Sequence, residues 1–149
     1  MRDDAFKRIQ DGTPHRFPML LIDSVERPSP GTGRATKQVS ANEVLFERFG
    51  DAPPALPSCL LVDALGQVAI TLLKGPDGEA PAVWYLGGLD AMSFHTPIPA
   101  GSVVRMEANI LKRWRTTARV EVKAWLETGP AADGVMVLSQ RESKSDESR

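Results

Sequence analysis

Asp63, Gln67 and Thr71 are the clearly polar side chains in the apolar run from Cys59 to Leu73, and they recur every four residues. At 3.6 residues per turn this spacing gathers them on one narrow stripe of an α-helix, while residues such as Leu60, Leu61, Leu65, Val68, Leu72 and Leu73 cover the other directions. A carboxylate on such a stripe can hold or release a proton, activate a water or attack a carbonyl carbon, and an amide one turn away can orient it or a bound water. The same pattern also describes a plain core helix with a hydrogen-bonded aspartate and a satisfied amide. Pro57 and Ser58 suit a first turn and N-cap, respectively. The backbone N–H groups of Ser58, Cys59 and Leu60 therefore point out of the helix start, where the dipole favours developing negative charge. Cys59 at that end is a candidate nucleophile, but no base adjoins it in sequence, and a lone cysteine in an apolar run is usually a small packing residue.

A helix apolar on nearly every side must be wrapped by other elements, and the flanking sequence supplies them. Lys74-Gly75-Pro76 closes the helix after about four turns. Upstream, Ala5, Phe6 and Ile9 among charges predict a short amphipathic helix ending near Gly12. The proline-bounded turn at Thr13 to Pro18 leads to a predicted strand from Met19 to Val25, and Arg34 to Ser40 alternates as its antiparallel neighbour, with Ala35 and Val39 opposite Thr36 and Gln38. Asn42 suits the N-cap of a single turn through Phe46, and Asp51 to Pro57 runs extended into the long helix.

Four further strands are predicted over Ala82 to His95, Val103 to Lys112, Thr117 to Glu127 and Val135 to Arg141. In the second, Val104, Met106, Ala108 and Ile110 share one face. In the third, Ala118, Val120, Val122, Ala124 and Leu126 do the same. One greasy sheet face and one greasy helix complete each other, so the predicted class is α+β, an antiparallel β-sheet curled around a long central helix. Residues 1–142 are expected to form this single domain, and 143–149, which lack apolar side chains, a disordered tail.

The 149-residue chain is 42% hydrophobic, enough for one core, and its formal net charge of −1 gives no global pull on nucleic acid or acidic membranes. The basic run Lys112-Arg113-Trp114-Arg115 sits in a predicted hairpin turn. It reads either as a solvated tip or as a docking patch for an acidic protein. No stretch approaches the roughly 18 apolar residues of a membrane span and the first residues do not resemble a signal peptide, so a cytoplasmic location is expected. A single cysteine rules out an internal disulfide and a cysteine-rich zinc site, and no metal site is expected. GTGR at residues 31–34 lacks the spacing of a phosphate loop.

Several of these segments together resemble the β-hydroxyacyl-[acyl carrier protein] dehydratases of the hotdog fold. Pro14-His15-Arg16-Phe17-Pro18 before Leu20-Leu21-Ile22-Asp23 is similar to that family's PHRYP turn and LLVD strand. Its phrase N-E-x-x-F-x-G-H-F-P-x-x-P-x-x-P-G-x-x-x-x-E-A-x-x-Q matches, without a gap, Asn42-Glu43, Phe46, Pro54, Pro57, Asp63-Ala64 and Gln67. Phe94, Pro97-Ile98 and Gly101 resemble the later R-F-x-x-P-V-x-P-G-D.

The resemblance implies a 3-hydroxyacyl thioester substrate carried on the phosphopantetheine of acyl carrier protein or coenzyme A, no other cofactor, and a dimer. In the family, a motif histidine of one protomer works with the central-helix carboxylate of the other. The carboxylate is present as Asp63, but the ungapped match puts Phe49 at the histidine and Ser58 at the glycine before the helix, with Arg48 and Asp51 adding charge nearby. A phenyl ring cannot accept the α-proton, which removes a contribution of about 10²- to 10⁴-fold.

His15 belongs to the retained turn and reads as a hydrogen-bonding turn residue. His95, after Phe94, is the better placed substitute base, or else a surface histidine. The expected catalytic residues are therefore Asp63 and Gln67, with Phe49, Pro57, Ser58, Cys59 and Phe94 contacting substrate. The expected activity is dehydratase-like and impaired in the chain alone. The alternatives are an Asp63-dependent acyl thioesterase, or a non-catalytic carrier-binding partner subunit that forms a heterodimer with an intact dehydratase. A homodimer at least is expected, and the resemblance permits a higher oligomer.

Overall fold

In the computed structural model, which describes residues 3–43, 51, 53–74 and 83–141, the apolar run forms a helix over Ser58–Leu73, here α2. It follows a shorter helix, α1 (Asp3–Gly12), and the strands β1 (Ser24–Ser29) and β2 (Thr32–Gln38). After it come β3 (Trp84–Phe94), β4 (Val103–Arg113), β5 (Thr117–Leu126) and β6 (Gly129–Gln140). The six strands make one sheet in the order β1-β2-β4-β5-β6-β3, and every neighbouring pair is antiparallel.

The sheet buries the face that the alternation marked. Val104, Met106 and Ala108 of β4, and Ala118, Val120, Val122 and Ala124 of β5, form one buried core with the apolar residues of α2, together with Ala35 of β2 and Met136 and Leu138 of β6. Helix and sheet approach closely because β2 places a glycine under the helix: a Cβ on Gly33 would lie 2.9 Å from Leu72. At about 25 cal/mol per Å² of apolar area removed from water, this shared core is the main source of the fold's stability.

The far end of α2 is held by charge as well as by packing. The Arg27 guanidinium donates to the carbonyl oxygens of Thr71 and Lys74, covering acceptors that the last helical turn leaves without an internal partner. Burial lowers the Arg27 pKa from its ordinary value, yet a guanidinium so basic stays charged at neutral pH. Thr71, on the polar stripe, turns its hydroxyl back to the Val68 carbonyl at 2.7 Å.

Several predicted boundaries move. The run Leu20-Leu21-Ile22 is buried but irregular, and β1 begins at Ser24 rather than Met19. β6 starts at Gly129 instead of Val135, because Ala131 and Ala132 pack into the core despite the turn-forming residues around them. In α1, Ile9 alone of the three apolar residues is buried, and Phe6 lies exposed. Pro57, not Ser58, is the N-cap of α2, with no side-chain cap hydrogen bond. The predicted single turn after Asn42, Phe49 and the tail at 143–149 lie outside the described residues.

The two edges of the sheet differ. β1 reads SVERPS, with Glu26, Arg27 and Pro28 exposed. β3 carries exposed Tyr85, Leu86, Leu89 and Phe94, and it pairs with β6 through two irregularities, between Leu86 and Gly88 and between Asp90 and Ser93.

Candidate active site

Asp63 lies near the middle of α2, where one side of the helix is not covered by the sheet. Gln67, one turn later, is fully buried, and its amide orientation is dictated by the backbone. Oε1 accepts the Leu21 N–H at 2.9 Å, so Nε2 faces the Met19 carbonyl at 2.7 Å and Asp63 Oδ2 at 2.9 Å. One side chain thus ties the segment before β1 to α2 and holds one oxygen of the carboxylate.

The other oxygen faces an imidazole. His15 Nε2 stands 3.6 Å from Asp63 Oδ1, with the two side chains 24% and 35% exposed. The ring is anchored through Nδ1 on the Thr13 hydroxyl at 2.5 Å. Arg16 braces the same turn, donating to the carbonyls of Thr13 at 2.9 Å, His15 at 2.7 Å and Gln10 at 3.2 Å. Phe17 beside it is 90% exposed.

The N-terminus of α2 opens on a second feature. Leu60 and Leu61 donate to the Pro57 carbonyl, leaving the N–H groups of Ser58 and Cys59 without an intrahelical acceptor. A cleft of about 650 Å³ lies against this end, lined by residues including Leu56, Pro57, Ser58, Leu61, Phe94 and Ile98. Pro99 and Ala55 close its side through a bridge.

The structure brings the predicted residues together unevenly. Asp63 and Gln67 are hydrogen-bonded to each other. Pro57, Ser58 and Phe94 share the cleft, while Cys59 is exposed on the helix surface. His95 also borders the cleft, but its Nε2 is engaged by Asp133 Oδ2 at 2.6 Å. Within one chain it is His15, not the favoured His95, that stands beside Asp63. The retained PHRFP turn carried the relevant signal, since a motif that keeps its histidine keeps it somewhere, but sequence spacing does not reveal a contact across so many residues.

In the basic run, Lys112 lies over the Trp114 ring at 5.0 Å and Arg113 over Trp84 at 5.5 Å. Trp114 is among the exposed large hydrophobics. Among the described residues no group of three or more His, Cys, Asp or Glu side chains could hold a metal ion, and no helix is long and apolar enough to cross a membrane.

Residues 13–135 match the model of the FabA-like domain. The 3-hydroxyacyl-[acyl-carrier-protein] dehydratase FabZ of Streptococcus pneumoniae strain CGSP14 is 35% identical over 134 residues, covering 89% of this chain and 95% of the relative. The chain belongs to the 3-hydroxyacyl-[acyl-carrier-protein] dehydratase family. FabZ of Streptococcus pneumoniae strain D39 is similar at 36% identity over 132 residues, covering 88% and 94%.

The hotdog fold of this family is seen again in solved structures. The dehydratase heterocomplex ApeI:P from Xenorhabdus doucetiae superposes with a TM-score of 0.78 at 20% identity, covering 91% of each chain. A hypothetical thioesterase with coenzyme A from Streptococcus pneumoniae TIGR4 does so with a TM-score of 0.61 at 12% identity, covering 95% and 97%.

Proposed function

We propose that this protein binds 3-hydroxyacyl groups carried as phosphopantetheine thioesters on acyl carrier protein or coenzyme A, and that Asp63 is the acid of a dehydration site shared between two subunits. The observation that carries this reading is the Asp63 carboxylate, half-exposed on the central helix with Oδ2 held by Gln67 at 2.9 Å. In the elimination, Asp63 gives its proton to the departing 3-hydroxyl, an imidazole takes the α-proton, and the C2–C3 double bond forms as water leaves. Positive potential at the free N–H groups of Ser58 and Cys59 suits the enolate-like oxygen of the thioester. No cofactor is required beyond the pantetheine arm of the substrate.

The motif position that would supply the α-proton acceptor is Phe49, so the chain is impaired when it pairs only with itself. A partner bearing the motif histidine completes the site. Exposed Phe17 in the histidine turn and the exposed apolar residues of β3 support such pairing, and a dehydratase heterocomplex among the structural neighbours is a precedent for two unlike chains. We place this protein in the cytoplasm, the location expected from its sequence.

Turnover of 3-hydroxyacyl pantetheine thioesters of graded chain length tests the reading. The protein alone is expected to be inactive or weakly active. Phe49→His, or co-expression with a motif-histidine dehydratase of the same organism, should restore dehydration, and Asp63→Asn should remove about 10²- to 10⁴-fold of what is restored. Undiminished dehydration by the Asp63→Asn protein refutes the assignment. Thioester hydrolysis by the wild-type protein that Asp63→Asn abolishes would establish a thioesterase in its place.

A further inference from the structure

We propose that His15 is a positioning residue for Asp63, directing an Nε2–H at Oδ1 while Gln67 holds Oδ2, so that the chain builds a two-point cradle for its own carboxylate from an N-terminal turn and the central helix. The inference rests on the reading of Asp63 as the acid and goes beyond it by assigning a role to an imidazole that the dehydration chemistry above leaves unused.

The hydrogen-bond pattern around Thr13 sets the tautomer. Thr13 is buried, and its Oγ1 already accepts the His15 backbone N–H at 3.3 Å. The hydroxyl hydrogen needs an acceptor of its own, and among the described residues the atom within reach is His15 Nδ1 at 2.5 Å. With Nδ1 accepting, the neutral ring carries its proton on Nε2, the nitrogen 3.6 Å from Asp63 Oδ1. That separation is longer than a hydrogen bond, so Nε2 faces Oδ1 without bonding it here.

The brace behind the ring is rigid. Arg16 fixes the carbonyls on both sides of the turn and reaches the end of α1. Gln67 binds Met19 and Leu21, just beyond the turn, with the same amide that binds Asp63. Turn and carboxylate are therefore held in register from two directions. An aspartate flanked in this way keeps one defined orientation towards a substrate, and orientation is what a reacting group needs.

Two measurements test the assignment. Long-range 1H–15N NMR of the full chain labelled at histidine should show the Nε2–H tautomer for His15, and Thr13→Val should abolish that preference. An Nδ1–H tautomer, or a tautomer unchanged in Thr13→Val, overturns the proposal whether or not turnover has been obtained.

In the Phe49→His background, His15→Leu should lower kcat about 10- to 100-fold with little change in KM. His15→Gln, which can present an N–H donor near the same place but no titrating ring, should recover most of the loss. Equal losses in the Leu and Gln variants, or none in either, overturn positioning by an N–H donor. If instead Asp63→Asn is fully active in that background while the NMR result holds, the contact stands and the acid assignment falls.

Discussion

The two halves of α2 are built for different ends. From Val68 to Leu73 every residue is buried, the sheet approaches at Gly33, and Arg27 covers the terminal carbonyls. In the first half, Ser58 and Cys59 are exposed, the N-cap brings no side-chain hydrogen bond, and Asp63 is only partly covered. A helix closed at one end and open at the other concentrates stability in the half packed on the sheet and leaves a carboxylate partly exposed in the other. Gln67 sits at the junction and belongs to both halves.

Substitutions can break this division of labour, beginning with the closed half. Leu73→Ala should cost about 2–5 kcal/mol in chemical denaturation, as expected for a fully enclosed leucine. Leu60→Ala, on the open half, should cost clearly less. If the two losses are equal, the contrast is wrong.

At the junction, Gln67→Leu keeps the volume roughly but strands the Leu21 N–H and the Met19 carbonyl, a loss of about 1–3 kcal/mol for each group left unpaired. The same change should free Asp63 and lower any restored turnover, an effect that Leu73→Ala should not share once corrected for folded fraction.

Gly66 lies on the open side, where a Cβ would meet no described atom within 4 Å. Gly66→Ala should therefore raise stability by up to about 1 kcal/mol through helix propensity alone, read as a higher Tm.

Smallest of all is an effect on the outer face of the sheet, far from either half. The Asn109 amide first, and then the Arg34 guanidinium, hold the Glu107 carboxyl below its ordinary pKa, with Arg34 Nε 2.8 Å away. A carboxylate depressed in the folded state stabilises the fold above its unfolded pKa of about 4.3 and loses that contribution as pH falls through the folded value. Glu107→Gln should thus be slightly less stable than wild type at neutral pH, and the gap should close on acidification below about pH 4.

Much of this arrangement was legible in the residues. The period of four in Asp63, Gln67 and Thr71 located α2 and its polar stripe, and the strict alternation in Val104 to Ala108 and Ala118 to Ala124 gave the buried face of the sheet. Local pattern failed where a tertiary contact replaced a local one. Leu20 to Ile22 reads as strand, but its backbone is satisfied by the Gln67 amide and not wholly by a neighbouring strand. Gly129 to Gly134 reads as a turn, but small residues let it run against β3, where a Cβ on Gly134 would come within 2.8 Å of the Met92 backbone. The resemblance identified the carboxylate, whereas the approach of His15 to it depends on where the first turn is folded back, which no spacing in the chain encodes.

The unequal borders of the sheet have a consequence for how many copies can join. Charge and proline on β1 discourage a further strand, while the apolar border on β3 invites one. An aggregate that grows by strand addition needs two receptive borders per molecule. With one, a first union through β3 would use up the supply, and no third chain could add at that border.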